Sequence, residues 1–412
     1  MAFDPEEWKK RREKRELLRQ EQAAKARKKR LFGLIGGGVV LLGGLLALIL
    51  SLRGCEISLQ SPTETTIETL PNTTTIHLAA TGDLNITEKL VASGQNGDYT
   101  NLMMDVAAIL AQADITTVNL EGGLYGPPYG VDASAPPALA AALKNAGVDL
   151  VQLANSYAIY KGTAGLTATL SGIQSAGLTP VGAYATAKDA KAGKGYIIRE
   201  VGGIKIAFVA FTKGMDGMAL PAGSEGCVNL LYTDYASAYQ QVDKAGITTV
   251  LKAAAKEKPD VTVALLHWGS EYNDTISTSQ EQIAKLMMEN GVDAIIGTHS
   301  HYVQKMVFDP EAGTFIAYSL GDFLGDAARP GSEYSVILDL EITKNNDTGV
   351  TKITGYHYTP VFTDATGEQT RVLRIESAMA AYEAGYLDKV SEDVYNAMGY
   401  ALKRIQARIK GE

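Results

Sequence analysis

From residue 76 onward, short apolar runs of strand length alternate with stretches of helical spacing. That alternation admits few folds: it calls for an α/β fold with parallel strand pairing and covering helices. Residues 76–80 form a β-type run ending in Thr81-Gly82-Asp83. Residues 102–113 have helical spacing, 115–120 read as a short apolar strand, and 137–146 as a helix stopped by Gly147. A strand at 148–153 and a helix at 166–176, closed by Gly177, continue the pattern. The middle brings a hairpin, 196–200 with 204–211 about Gly202-Gly203, and a long amphipathic stretch at 235–255. A buried strand at 261–266 ends at His267, a helix at 279–289 is stopped by Asn290-Gly291, and a strand at 294–296 ends in Gly297. Two hairpin-like pairs follow, 303–308 with 314–320 and 334–342 with 350–358, and 371–409 reads as helical.

The region before this pattern obeys different physics. Residues 31–52 carry no charge, and a helix of that length matches the ~30 Å hydrocarbon core of a bilayer. Lys25, Arg27, Lys28, Lys29 and Arg30 precede it, and only Arg53 and then Glu56 follow closely. The positive-inside rule therefore predicts a cytoplasmic N-terminus with everything after Arg53 outside the cell, at the cell membrane. A cleaved signal peptide would have a shorter apolar core and a small-residue cleavage site, and neither is evident. The Ser-, Thr-, Glu- and Pro-rich stretch up to residue 75 reads as a polar stalk. The expected division is a basic tail at 1–30, a transmembrane helix at 31–52, a stalk at 53–75, a globular domain at 76–362 and a C-terminal helical segment at 363–412. Charge follows the same boundary: residues 1–30 hold twelve Lys/Arg against six Asp/Glu, the whole chain carries −8, and the remainder therefore carries −14. An acidic domain of that kind argues against nucleic acid as a partner. The two cysteines, Cys55 and Cys227, are too few for a disulfide framework or a cysteine zinc site.

The informative polar residues stand at the C-terminal ends of the strands, where an open α/β sheet forms its crevice. Asp83 follows the first strand, Asn119 and Glu121 close the second, Asn155 follows the third, His267 ends its strand, and His299 and His301 follow 294–296. Singly, each has an ordinary explanation: an Asp after Gly fits a turn or cap, and His-x-His fits strand alternation. Together, carboxylates and imidazoles without a thiolate suit Zn, Mn or Fe. Two metals sharing a bridging carboxylate would suit attack by hydroxide on a phosphoryl or acyl centre. His77 and His357 lie within strand-like runs and read as packing or surface residues, and Trp268 is expected to pack beside the site.

In chain order, Gly82-Asp83, Asn119-Leu120-Glu121, Leu153-Ala154-Asn155, His267-Trp268-Gly269-Ser270-Glu271-Tyr272, Gly297-Thr298-His299-Ser300-His301 and Tyr318-Ser319-Leu320-Gly321-Asp322-Phe323 resemble the CapA family, the poly-γ-glutamate capsule biosynthesis proteins. The resemblance runs from about residue 76 to 362. It implies a layered α/β/β/α sandwich of the calcineurin-like metallophosphatase type, preceded by one transmembrane helix, with the domain outside the membrane. It implies one or two divalent metals (Mn, Zn or Fe) held by Asp83, Glu121, Asn155, His267, His299 and His301, with His267, His301 and Glu271 as catalytic candidates.

One loop departs from the family pattern L-A-N-N-H-A-x-D-x-G. Ser156 stands for the second Asn, an expected metal ligand; Tyr157 stands for the His, an expected acid or electrostatic aid; Tyr160 stands for the Asp that would orient it. Losing a general acid typically costs on the order of 10²–10⁴ in rate. The expected function is a membrane-anchored, extracellular part in the synthesis, export or surface retention of poly-γ-glutamate or a similar anionic capsule polymer, alongside capsule-synthesis membrane partners. The alternatives are an extracellular metal-dependent phosphoesterase or amide hydrolase, and a degenerate enzyme that only binds a ligand or partner. The acidic domain opposes a polyanion unless a metal or a local basic patch neutralises the site.

Overall fold

The computed structural model describes residues 72–412 except 95, 96, 326, 328 and 387–389. The basic tail, the expected transmembrane helix and the stalk as far as residue 71 lie outside the described residues. Among those described, no helix is long and apolar enough to cross a membrane.

Along the chain come β1 (Thr73–Asn85), β2 (Ile115–Glu121), α1 (Pro137–Ala146), β3 (Leu150–Gln152), α2 (Gly162–Ser175), β4 (Thr179–Val181), β5 (Tyr196–Val201) and β6 (Ile204–Thr212). Then follow α3 (Lys244–Ala255), β7 (Val261–His267), α4 (Thr278–Glu289), β8 (Ala294–Thr298), β9 (Met306–Asp309), β10 (Thr314–Ala317) and β11 (Asp322–Leu324). The chain closes with β12 (Tyr334–Asn345), β13 (Thr351–Asp364), β14 (Arg371–Arg374), α5 (Ile375–Glu383) and α6 (Glu392–Lys410). Local chemistry sets several boundaries. Pro137 opens α1 with the φ a first turn needs, and Gly147 closes it in the left-handed region at φ 105°. A reciprocal Ser277–Gln280 capping box starts α4.

The strands form two sheets. One has eight strands in the order β14-β13-β12-β1-β2-β3-β4, with β11 paired to β1; the other has six in the order β5-β6-β7-β8-β10-β9. β1 to β4 run parallel, as do β6, β7, β8 and β10, while the hairpins β5–β6, β9–β10 and β12–β13 are antiparallel. Alternate residues of β6 show how the layers stack. Ile206, Phe208 and Ala210 share one apolar core with the first sheet and with α1, α2 and α6. Ala207, Val209 and Phe211 share a second core with Ile247 and Leu251 of α3 and Ile283 and Met287 of α4. This is a mixed α/β sandwich, each sheet carrying helices on its outer face.

Four segments differ from the sequence reading. Residues 102–113 are broken into a 3-10 turn at Thr100–Met103 and a single helical turn at Ala107–Leu110. Their buried positions, Leu102, Met103, Val106 and Leu110, account for the helical spacing. The amphipathic stretch at 235–255 is helical only from Lys244, where the Asp243 carboxylate accepts from Gly246 N–H at 2.8 Å and sets the start. Residues 73–75, counted with the stalk, belong to β1, since three β-branched threonines pair with β12. The C-terminal stretch is not wholly helical: Arg371–Arg374 is a strand on β13, and Val394, Met398, Ala401 and Ile405 of α6 are buried at helical spacing. Residues 363–412 are thus part of the sandwich rather than an appendage.

Candidate metal centre

β1 outruns its antiparallel partner. β12 pairs with it only as far as Ala80 opposite Leu338. Beyond a register shift, Asp83 stands opposite Asn119 of β2 on one side and Asp322 of β11 on the other. The close approach depends on Gly82, where a Cβ would lie 1.7 Å from the Gly321 carbonyl oxygen. Asp83 N–H donates to that same oxygen at 3.0 Å. In the second sheet His267 pairs with Thr298, and His299 and His301 follow with φ of 86° and 59°. A non-glycine residue in that region stores strain, which the surrounding structure has to hold in place.

These strand ends deliver two groups of donors. Glu121, His267 and His299 each place one ligand atom within 4.8 Å of the others, and so do Asp83, His301 and Asp322. The groups are tied together. Asn119 donates to Asp83 Oδ1 at 2.6 Å and approaches Glu121 Oε1 at 3.4 Å. The His299 backbone N–H donates to Asp83 Oδ2 at 2.9 Å, and the rings of His267 and His299 are 4.4 Å apart.

The electrostatics of the protein alone are unfavourable. Burial raises the Asp83 carboxyl above its ordinary range, against the His301 charge and the Asn119 hydrogen bond. Burial, and then the charges of Asp83 and Asp322, push Glu121 well above its range. Burial holds His267 and His299 far below the usual imidazole value, so both are neutral. At His301 burial is outweighed by the Asp322 carboxylate 2.8 Å from Nδ1, which carries the ring up to about 9. Crowded carboxylates beside neutral imidazoles form an arrangement that a divalent cation inverts from costly to stabilising.

One observation tests the fit directly. Both ring nitrogens of His299 are buried and have no hydrogen-bond partner among the described residues. Buried polar nitrogens are almost always satisfied, and leaving one bare costs about 1–3 kcal/mol. A metal ion among these donors would take a ring lone pair, so the donor set fits a divalent cation in its residue types and unmet bonding, and binding would displace the protons that Asp83, Glu121 and His301 favour without it.

The other expected residues surround these donors. Asn155 lies at the same strand ends: its amide donates to Asn119 Oδ1 at 3.0 Å and to the Leu120 carbonyl at 2.7 Å, and its oxygen accepts from Tyr157 N–H. It braces the strand end that carries Asn119. Ser156 Oγ lies 3.2 Å from His267 Nε2. The Tyr157 ring stands 5.5 Å from that of Tyr160, which is exposed. Glu271 is exposed and lines the cavity that opens on His299. Trp268 is fully buried, donates to the Tyr318 carbonyl at 2.8 Å and stacks on the Tyr318 ring. His77 and His357 pair with Asp339 and Glu341 on the first sheet, in neither donor group. Asp322 was not assigned from sequence, although Gly321-Asp322 repeats the Gly82-Asp83 dipeptide that it faces.

The family model described as bacterial capsule synthesis protein PGA_cap matches residues 77–327. The chain belongs to this bacterial capsule synthesis family. It is 30% identical over 204 residues to the capsule biosynthesis protein CapA of Bacillus anthracis, covering 50% of this chain and 46% of that protein. It is 27% identical over 263 residues to the PGA biosynthesis protein CapA of Bacillus subtilis (strain 168), covering 60% of this chain and 65% of that protein. The matched region thus spans between about half and two thirds of these relatives. Among solved structures, the calcineurin-like phosphoesterase YfkN from Bacillus subtilis is similar at a TM-score of 0.45 and 16% identity, covering 80% of this chain and 99% of that one. A likeness that remote has no bearing on the site.

Proposed function

We propose that this chain acts at the cell surface in the synthesis, export or retention of an anionic capsule polymer of the poly-γ-glutamate kind, through a crevice that holds one or two divalent metal ions. Family membership supports the biological setting. The observation that carries the metal is His299, whose two buried ring nitrogens lack partners among the described residues, amid buried carboxylates. Glu121, His267 and His299 would hold one ion, and Asp83, His301 and Asp322 another. A divalent ion supplies positive charge that neutralises such a crevice and polarises an oxygen of the bound group. The protein's own residues do the rest. Asn119, braced by Asn155, fixes Asp83 and Glu121, Asp322 orients His301, and the buried Trp268 backs the site.

Tyr157 replaces the imidazole that the family pattern places in this loop. A phenol, ordinarily near pKa 10, exchanges its proton far less readily than imidazole at neutral pH. This favours holding or guiding a polymer over rapid bond cleavage. Hydrolysis of a phosphoester or amide is the second reading, favoured by the cavity of about 260 Å³ that opens on His299. The uncharged stretch 31–52 would anchor the chain, with the domain outside. The test is surface polymer in cells carrying Asp83→Ala or His299→Ala. Loss is expected, and unchanged polymer would remove the metal donors from the function. Protease accessibility of the domain in intact cells checks the topology.

A further inference from the structure

The cavity beside His299 contains a cation that the metal reading leaves without a task. His299, Ser156, Lys213, Asp216, Tyr239 and Glu271 are among its lining residues. Lys213 directly follows β6, and its backbone N–H donates to the His267 carbonyl at 2.8 Å, which pins it to the strand that delivers a metal donor. Its Nζ donates to the Gly269 carbonyl at 2.9 Å and sits 4.7 Å from the centroid of the Tyr239 ring.

Among the described residues no carboxylate oxygen lies within 4.0 Å of that ammonium, whereas Lys144, Lys161 and Lys344 each have one. Lys213 is half-buried, so its charge is incompletely solvated as well as unpaired. A carbonyl and an aromatic face hold it in place, and they use only part of its donor capacity, since an ammonium has three N–H groups. Burial lowers its pKa, while Glu271 and Asp216 oppose that shift. A fixed, unpaired ammonium in a cavity that opens on metal donors suits an oxygen anion. Asp216 and Glu271 line the same cavity, so Lys213 offsets only part of its negative charge, and a bound metal ion would supply the rest needed to admit a polyanion to a chain whose residues 31–412 carry −14.

We propose that Lys213 is the anion-recognition residue of this crevice, binding one carboxylate or phosphoryl group of the substrate beside the metal donors. The proposal rests on the reading of the crevice as the working site and names the chemistry it selects.

The experiment is calorimetric binding of two probes, inorganic phosphate and γ-glutamylglutamate, to the full 412-residue chain supplied with Mn²⁺. Wild type, Lys213→Met and Lys213→Arg are compared, with metal content and melting midpoint recorded for each. The expected result is at least tenfold weaker binding in the Met variant and substantial recovery in the Arg variant, at unchanged metal content. Tighter binding of phosphate identifies a phosphoryl group as the target, and tighter binding of the dipeptide identifies a carboxylate. Equal binding by wild type and a folded Met variant overturns the proposal, as does a metal-loaded wild type that binds neither probe. Should the Met variant fail to fold, Lys213→Gln, which keeps a donor for Gly269, replaces it under the same criterion. A wild type that holds no metal, yet loses probe binding on Lys213→Met, would sink the metal reading and leave the lysine standing.

Discussion

Gly82→Ala is the sharpest structural test of how the donors are brought together. Gly82 is not in a glycine-only conformation, so the substitution acts through space alone. The added Cβ would lie 1.7 Å from the Gly321 oxygen, while ordinary contact begins near 3.4 Å, so the two strand ends must part by about 1.7 Å. Overpacking of this kind costs about 1–3 kcal/mol, and loss of the buried Asp83–Gly321 hydrogen bond about 1–3 kcal/mol more, for a total of about 2–6 kcal/mol. The local effect is larger in consequence. Asp83 moves away from Asp322 and His301, and ligand distances in a metal site tolerate only about 0.2 Å. Urea unfolding should show the stability loss, and elemental analysis should show metal lost from the second donor group. Gly367→Ala, with open space around its Cβ, is the control and should change little. A Gly82→Ala protein as stable as wild type and with the same metal content would refute this account of the junction.

Two further outcomes follow from the same geometry. At Asp364 burial is outweighed by hydrogen bonds from Thr366 and Arg371, so its carboxyl lies below the ordinary range. Its contribution is therefore present above the unfolded value, about 3.9, and is lost as pH falls through the lower folded value. Asp364→Asn should cost about 1–2 kcal/mol at pH 7 in urea unfolding, with the gap to wild type closing on acidification; a gap that widens in acid would contradict the sign. Ser156→Asn with Tyr157→His restores two residues of the family loop pattern, and hydrolysis of bis-p-nitrophenyl phosphate should rise at least tenfold over wild type, general-acid contributions being on the order of 10²–10⁴. No change in rate would show that this loop is not what limits turnover.

The sequence was most legible where structure is locally determined. Pro137 and Gly147 bracket α1 because caps act within one turn, and Gly202-Gly203 turns the β5–β6 hairpin because two adjacent residues supply the positive φ. Legibility failed where a buried face imitates an element. Leu102, Met103, Val106 and Leu110 line a core at helical spacing without continuous helix, and Arg371–Arg374 is recruited as a strand by an edge that only tertiary structure creates. In the site, the residues at strand ends were legible because parallel strands deliver their C-terminal ends to one crevice. The place of Asn155 in the chain does not reveal that both ends of its amide already bond within the protein. Lys213 had no local signal: its position beside His267 follows from the pairing of β6 with β7, between residues far apart in sequence.

The most direct measurement of the central claim is the transition-metal content of the purified full chain after dialysis, for wild type and His299→Ala side by side. The account predicts one or two tightly held ions per wild-type chain and fewer in the variant. A correctly folded wild type that retains none would contradict it, and would leave the crevice as a cluster of buried histidines and carboxylates that binds no metal.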